Sequence, residues 1–185
     1  SRVRKVASED FASLVAGGGS TCGIKTDGSL WCWGEGGTGQ LGLGSTTTYD
    51  TPQKVGSATD WTAVSLGASH ACGLRQGGAL YCWGRNNEAQ LGDLSRTDRN
   101  TPTQVQNLPT GIIPVQISAG FGQTCLVSAD GGLYCWGTNA YYAQNSETSG
   151  YLGRGFSSYQ SQGCGGMTTN TCDSNTWGAV YDPGP

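Results

Sequence analysis

Among the residue types that can do chemistry, cysteine is the one whose number and spacing in this sequence are most informative. There are eight cysteines, and six of them recur as matched pairs. The pairs are Cys22 with Cys32, Cys72 with Cys82, and Cys125 with Cys135. Structural zinc sites need thiolates about two to four residues apart, and no two cysteines of this sequence are so close. The spacing therefore predicts disulfides and no metal site, and disulfides indicate an oxidising compartment outside the cytosol.

The cysteine pairs belong to an internal repeat with a period near fifty residues. A shift of fifty residues aligns Cys22, 32–34 and 40–42 with Cys72, 82–84 and 90–92. A further shift of fifty-three residues aligns Cys72 and 80–84 with Cys125 and 133–137. Such a period is typical of propeller blades or of solenoid repeats.

Each cysteine pair is predicted to bridge a β-hairpin. Between the two cysteines lies a triplet that ends in glycine, namely Thr26-Asp27-Gly28, Gln76-Gly77-Gly78 or Ala129-Asp130-Gly131. A three-residue hairpin loop needs a left-handed backbone at its last position, and glycine adopts it without strain. This register sets the two cysteines opposite each other on antiparallel strands, within disulfide reach.

The hairpins are predicted to be covered on both faces. Alternation puts Cys72, Leu74, Leu80 and Cys82 on one face, and the other face is not plainly polar either. Stacked propeller blades produce this pattern because each sheet lies between two neighbours. Trp33, Trp83 and Trp136 occupy equivalent positions and are predicted to pack between blades. Further strands are expected at 61–65 and 115–117, outer edge strands at Pro52 and Pro102, and almost no helix.

Composition excludes several classes of protein. The chain has 32 glycines and only 12% charged residues, and its net charge is -3. Without a basic cluster there is no surface for phosphates, so we expect no nucleic-acid partner. No apolar run reaches the roughly 20 residues of a membrane helix, so we expect no membrane span. The chain begins at Ser1, without a signal peptide, and is interpreted as a mature protein or a piece of a longer one.

Candidate catalytic residues are few. His70 is the only histidine, and its counterparts in the other repeats are Ser20 and Gln123, which favours a structural role. Turn formation explains the aspartates at 10, 27, 60 and 130, because aspartate accepts local backbone hydrogen bonds. The glycine clusters lack the lysine and helix of a phosphate-binding loop. We therefore expect no catalytic residue, no cofactor and no enzyme activity.

The repeats resemble those of the regulator-of-chromosome-condensation family. The resemblance rests on the segments 64–74, 80–84 and 90–92 with their tryptophan-glycine and glutamine-leucine-glycine steps, and it covers roughly residues 7–137. It implies an all-β fold of three consecutive propeller blades with intra-blade disulfides and an irregular C-terminal extension. Family members usually close seven blades, so three blades would form an incomplete ring.

Four segments are predicted along the chain. They are blade-like repeats at 1–56 and 57–110, the start of a third repeat at 111–137, and a divergent repeat end with a C-terminal arm at 138–185. In the last segment Cys164 and Cys172 are expected to form a fourth disulfide. Its aromatic residues are predicted to be a contact surface, because tyrosine combines a large contact area with a polar tip. They are Tyr141, Tyr142, Tyr151, Phe156 and Tyr159.

Three functions are compatible with these features. The leading hypothesis is a non-enzymatic extracellular subunit that self-assembles, as a homo-oligomer or polymer, through open propeller edges and the C-terminal arm into a filament or surface layer. The second is a protein- or glycan-binding module of a larger secreted adhesin or receptor. The family resemblance also implies guanine-nucleotide exchange, but that activity belongs to a complete ring in the cytosol or nucleus and fits paired cysteines badly.

Overall fold

The computed structural model describes residues 10–106, 108–138 and 178–179, and the regular secondary structure of this part of the chain is almost entirely β-strand. The strands are β1 (Phe11–Gly17), β2 (Ser20–Lys25), β3 (Leu30–Gly34), β4 (Tyr49–Lys54), β5 (Trp61–Leu66), β6 (His70–Arg75), β7 (Leu80–Gly84), β8 (Arg99–Gln104), β9 (Pro114–Ala119), β10 (Gln123–Ser128), β11 (Leu133–Gly137) and β12 (Gly178–Ala179). The helical content of these residues is one 3-10 turn at Gln76–Gly78.

The strands form three antiparallel sheets that follow one another along the chain. Their orders are β1-β2-β3-β4, β5-β6-β7-β8 and β9-β10-β11-β12. Neighbouring sheets meet through their first two strands, since β5 contacts β1 and β2, and β9 contacts β5 and β6. The fourth strands β4 and β8, which contain Pro52 and Pro102, lie at sheet edges, where proline costs no ladder bond. The predicted three consecutive propeller blades are confirmed, and we call them the first, second and third blade.

A disulfide spans the central hairpin of each blade. Cys22 lies opposite Cys32, Cys72 opposite Cys82, and Cys125 opposite Cys135, and each pair is bonded with a Cα–Cα distance of 4.1 Å. The loops turn through left-handed glycines, with φ of 78° at Gly28, 81° at Gly78 and 88° at Gly131. The predicted intra-blade disulfides are thus present, for the loop-chemistry reason given above. Cys164 and Cys172 lie outside the described residues.

The hydrophobic core lies between the sheets and has two parts. The first inter-blade core joins the first and second blades and consists of Cys22, Ile24, Leu30, Cys32, Leu41, Val55, Trp61, Leu66, Ala71 and Trp83. The second inter-blade core joins the second and third blades and consists of Cys72, Leu74, Leu80, Cys82, Leu91, Val105, Leu126 and Trp136. The second blade contributes to both cores from opposite faces, as the alternation along its hairpin predicts.

Candidate functional site: two open blade faces

Each blade presents two different faces, and the two inter-blade junctions use them in the same way. We call the face that packs against the preceding blade the front face and the opposite one the back face. In the second blade the front face carries Trp83, which lies in the first inter-blade core. The back face carries Leu74 and Leu80, which lie in the second. At both junctions in the described residues, the front face of one blade therefore packs on the back face of the blade before it.

A tryptophan of the front face docks into the preceding blade at both junctions. The indole Nε1 of Trp83 donates to the carbonyl oxygen of Gln40 at 2.9 Å, and Trp136 donates to that of Gln90 at 2.9 Å. The glutamine begins the recurring glutamine-leucine-glycine step, so this step is the socket for the tryptophan of the next blade. We call it the tryptophan socket.

Two structural constraints, the backbone conformation and the close approach of the indole, require glycine in each tryptophan socket. Gly42 and Gly92 have φ of 72° and 64°, which is left-handed backbone. A Cβ there would lie 2.8 Å from Nε1 of Trp83 and 2.9 Å from Nε1 of Trp136 respectively. Any larger residue would therefore push the indole out of its site.

A buried polar network holds the socket of the second blade. The side chain of Asn86 accepts a hydrogen bond from the backbone N–H of Leu91 at 3.0 Å and donates to Asp93 at 2.9 Å. Asp93 also pairs with Arg99 at 2.7 Å. Burial acts to raise the pKa of Asp93, but hydrogen bonds from Ser95, Arg99 and Asn86 outweigh it and hold the pKa below its ordinary value. The carboxylate therefore stays charged and keeps the loop in place.

His70 takes part in the junction between the second and third blades. Its Nε2 lies 2.9 Å from Oγ1 of Thr124, and this hydroxyl lies 2.8 Å from the carbonyl oxygen of Gln90. Because the hydroxyl proton goes to the carbonyl, Nε2 must donate and Nδ1 carries no proton. Burial lowers the pKa of His70 to about 4. The ring is thus a neutral structural element of the blade junction.

The front face of the first blade has no preceding blade in the described residues. Leu14, in the middle of strand β1 on this face, is 63% exposed, whereas its counterparts Val64 and Ile117 pack against the two inter-blade cores. Trp33 is only half-buried, whereas Trp83 and Trp136 are fully buried. Of the three tryptophans predicted to pack between blades, Trp83 and Trp136 lie in the inter-blade cores, while Trp33 lies on an open face.

The back face of the third blade is open in the same sense. Leu133 is 43% exposed, whereas its counterparts Leu30 and Leu80 are 0% and 1% exposed. Val127 is also partly exposed, although the equivalent Leu74 is buried. The front-to-back contact between blades thus occurs twice inside the described chain, while the front face of the first blade and the back face of the third blade lack such a contact there.

Other predicted site residues cannot be placed. The aromatic residues Tyr141, Tyr142, Tyr151, Phe156 and Tyr159 lie outside the described residues. Sequence reasoning missed Phe121, which is 82% exposed at the β9–β10 turn, where the other blades have Gly18 and Ala68. The signal for it was an aromatic residue at a turn position that is otherwise small.

Residues 10–106, 108–138 and 178–179 contain no helix long and apolar enough to cross a membrane. They also contain no cluster of three or more histidine, cysteine, aspartate or glutamate side chains that could hold a metal ion.

Solved structures with the same fold are larger than this chain. Human WBSCR16 is 18% identical with a TM-score of 0.67, and the match covers 80% of this chain and 38% of that one. Prp20p from Saccharomyces cerevisiae is 20% identical with a TM-score of 0.66, over 94% and 39% of the two chains. Yeast RCC1 (Prp20) bound to Kap60 is 23% identical with a TM-score of 0.61, over 74% and 31%. The chain thus spans less than two fifths of the length of these structures.

Family membership follows from the sequence of the repeats themselves. The chain matches the "Regulator of chromosome condensation (RCC1) repeat" over residues 27–74 and 77–127. A second description of the same repeat matches 11–40, 61–90 and 115–143, once in each blade. No curated protein matches the chain in sequence. These matches cover more than half of the residues and recur with the three sheets, so the chain belongs to the regulator of chromosome condensation (RCC1) repeat family.

Proposed function

We propose that this chain is a non-enzymatic, protein-binding propeller module that acts outside the cytosol by packing its open blade faces against further blades. The observation that supports the proposal best is the pair of open faces. Leu14 on one and Leu133 on the other are exposed at positions where the equivalent residues are covered by a neighbouring blade. Exposed apolar faces of this kind mark interaction surfaces.

The finer form of the proposal is self-assembly. Because the front face of the first blade and the back face of the third are complementary halves of one interface, copies of the chain supply each other's missing neighbour. Repetition of this contact gives an extracellular structural array, such as a filament or surface layer, to which the arm at 138–185 adds further contacts. Open strand edges and faces need such cover to avoid unspecific aggregation.

The oxidising location is supported by the disulfides. One bridge in each blade, at an equivalent position, is a regular feature of the fold of this chain. Disulfides persist in secreted and surface proteins and are reduced in the cytosol.

A second candidate is a binding module of a larger secreted adhesin or receptor, which recognises a protein or glycan. It is favoured by the length of the matched propellers, of which the chain spans 31–39%. In that case the open faces are covered by further blades of the same polypeptide. Yeast RCC1 (Prp20) has been solved bound to Kap60, and Prp20p has binding properties to Gsp1p and histones, so these propellers of the same fold bind proteins.

Native mass spectrometry and negative-stain imaging of non-reduced protein test the proposal. We expect concentration-dependent oligomers with a regular outline, and we expect Leu14→Asp to abolish them because it places a charge on the front face. Phe121→Asp is the matched control, since Phe121 is exposed at a turn and not on a sheet face. A monomer at every concentration would contradict self-assembly and leave the second candidate. Equal loss in both variants would contradict the role of the open face.

A further inference from the structure

We propose that the junction between the second and third blades is an acid-sensitive switch, in which protonation of His70 releases the third blade from the second while the first junction stays closed. The proposal concerns a contact inside one chain, so it does not rest on the proposed function. It assigns a role at low pH to a histidine that is neutral and structural at pH 7.

His70 links the second and third blades through a chain of hydrogen bonds. Its Nε2 donates to Oγ1 of Thr124 in the third blade at 2.9 Å, and that hydroxyl donates to the carbonyl oxygen of Gln90 in the second blade at 2.8 Å. The indole N–H of Trp136 donates to the same carbonyl oxygen at 2.9 Å. The histidine is only 1% exposed, so its ring is part of the contact that holds these two blades together.

The other ring nitrogen of His70 has no acceptor for a second proton. In the part of the chain that the structure describes, Nδ1 is buried without a hydrogen-bond partner. A Cβ placed on Gly67 would lie 2.7 Å from Nδ1, so the backbone of the preceding turn packs directly against this edge of the ring. Protonation would create a buried N–H without an acceptor together with a buried charge, and both are costly.

The elements around His70 offer little to compensate an imidazolium charge. Strands β5, β9 and β10 contain no acidic or basic residue. The ionisable residues of the other surrounding elements are Arg75 on β6, Tyr81 on β7, Tyr134 on β11, and Arg85 and Glu88 on the socket segment 85–92. None of them contributes to the pKa of His70, which burial alone lowers to about 4.

The junction between the first and second blades is built without such a group. The residues equivalent to His70 and Thr124 are there Ser20 and Ala71. The hydroxyl of Ser20 donates to the carbonyl oxygen of Glu35 in its own blade at 2.7 Å, and alanine has no polar side chain. An acid-driven change is therefore expected at one of the two junctions and not at the other.

The direction and size of the effect follow from the two protonation states. In an open junction His70 meets water and its pKa returns to the ordinary value of 6.5, whereas in the closed junction it is about 4. The closed form is therefore favoured above pH 6.5 and loses this advantage as the pH falls towards 4, because the open form binds the proton more tightly. The equilibrium constant for opening should rise about 30-fold between pH 7.5 and pH 5.

Opening would separate the two blades as intact units. The disulfides Cys72–Cys82 and Cys125–Cys135 close the central hairpin on each side of the junction. Separation uncovers the leucines of the second inter-blade core, which are Leu74, Leu80, Leu91 and Leu126. Acid thus turns a covered apolar surface into one that is available for interaction.

Amide hydrogen exchange followed by NMR tests the switch, because several backbone N–H groups donate across a junction. The reporters of the second junction are Ala68, which donates to the carbonyl oxygen of Gly120, and Ala119, which donates to Oγ of Ser65. The reporters of the first junction are Trp61, which donates to the carbonyl oxygen of Gly28, and Gly44, which donates to that of Asn100. Each pair measures the opening of its own junction.

Exchange is measured on monomeric, non-reduced protein and corrected for the intrinsic effect of pH. We expect the opening constants at Ala68 and Ala119 to rise about 30-fold from pH 7.5 to pH 5, and those at Trp61 and Gly44 to change less than about threefold. His70→Gln keeps a side chain that can donate a hydrogen bond but does not titrate, so it should remove the rise. Equal increases at both junctions, no increase at the second, or a rise that persists in His70→Gln would overturn the proposal.

A second measurement needs no variant that must fold. His70 is the only histidine, so its ring nitrogens give unambiguous NMR signals. We expect the folded protein to carry the ring proton on Nε2 at pH 7 and to keep the ring neutral until the second junction opens. A ring that titrates near pH 6.5 while the amides of the second junction stay protected would overturn the proposal. Neither readout requires association, so a failure of self-assembly leaves the switch standing.

Discussion

Replacement of the docking tryptophans by phenylalanine should show how much one tryptophan socket stabilises the fold. Trp83→Phe removes a buried hydrogen bond, which contributes about 1 kcal/mol, and leaves the carbonyl of Gln40 without its donor at a further cost of about 1–3 kcal/mol. Trp136→Phe should cost less, because the carbonyl of Gln90 keeps the hydrogen bond from Thr124. We expect losses in the free energy of unfolding of about 3 and about 1 kcal/mol respectively.

Trp33→Phe is the matched control for this comparison. The side chain is half-buried, and within the described part of the chain its N–H has no acceptor, so the same exchange should cost less than about 1 kcal/mol. Urea denaturation of non-reduced protein, at a concentration where it is monomeric, measures all three variants. With a slope near 2 kcal/mol/M, Trp83→Phe should lower the midpoint by about 1.5 M. Losses for Trp83→Phe and Trp33→Phe that agree within about 0.5 kcal/mol would refute the socket as a stabilising contact.

Three further outcomes are expected. Replacing Cys72 and Cys82 together by serine should lower the free energy of unfolding by about 3 kcal/mol, seen as a lower urea midpoint, and an unchanged midpoint would contradict this. Burial lowers the pKa of His70 from 6.5 to about 4, so the unfolded state binds more protons than the folded state between these pH values. The free energy of unfolding should therefore fall by about 3 kcal/mol as the pH drops through this window. His70→Gln should flatten this pH dependence, as measured by thermal unfolding. Gly42→Ala should lower the free energy of unfolding more than Gly56→Ala does in the urea denaturation assay. Both residues have positive φ, but a Cβ at Gly42 would lie 2.8 Å from the indole Nε1 of Trp83, whereas nothing lies within 4 Å of a Cβ at Gly56. Equal losses in free energy of unfolding would argue against this close approach.

The hairpins and their disulfides could be predicted because they depend on local chemistry. The triplets that end at Gly28, Gly78 and Gly131 determine the loop type, and the loop type determines which residues face each other. The covering of both faces could be predicted as well, since strand alternation leaves no polar side. These features depend on residues that are close together in the sequence and on no distant contact.

The tryptophan socket could not be predicted in this way. The sequence shows that the glutamine-leucine-glycine step recurs, but the step of one blade serves the tryptophan of the next, which is 43 residues away for Gln40 and Trp83. A repeat pattern does not show whether a recurring residue contacts its own blade or the neighbouring blade. The same limit applies to His70, whose structural role was predicted but whose partners, Thr124 and the carbonyl of Gln90, were not.

The exposure of Leu14 was also hidden in the sequence. Residues equivalent to it are packed in the second and third blades, so its residue type is that of a covered position. Only the structure shows that this position is open in the first blade. Leu14 is exposed although the equivalent residues of the other blades are packed, and this is the reason to expect a further blade against the front face of the first blade.

An electron cryomicroscopy map of the non-reduced, assembled protein tests the central claim most directly. The account predicts that a propeller blade of a neighbouring copy covers Leu14 on the front face of the first blade. A map in which this face remains exposed to solvent, or is covered by something other than a propeller blade, would contradict it.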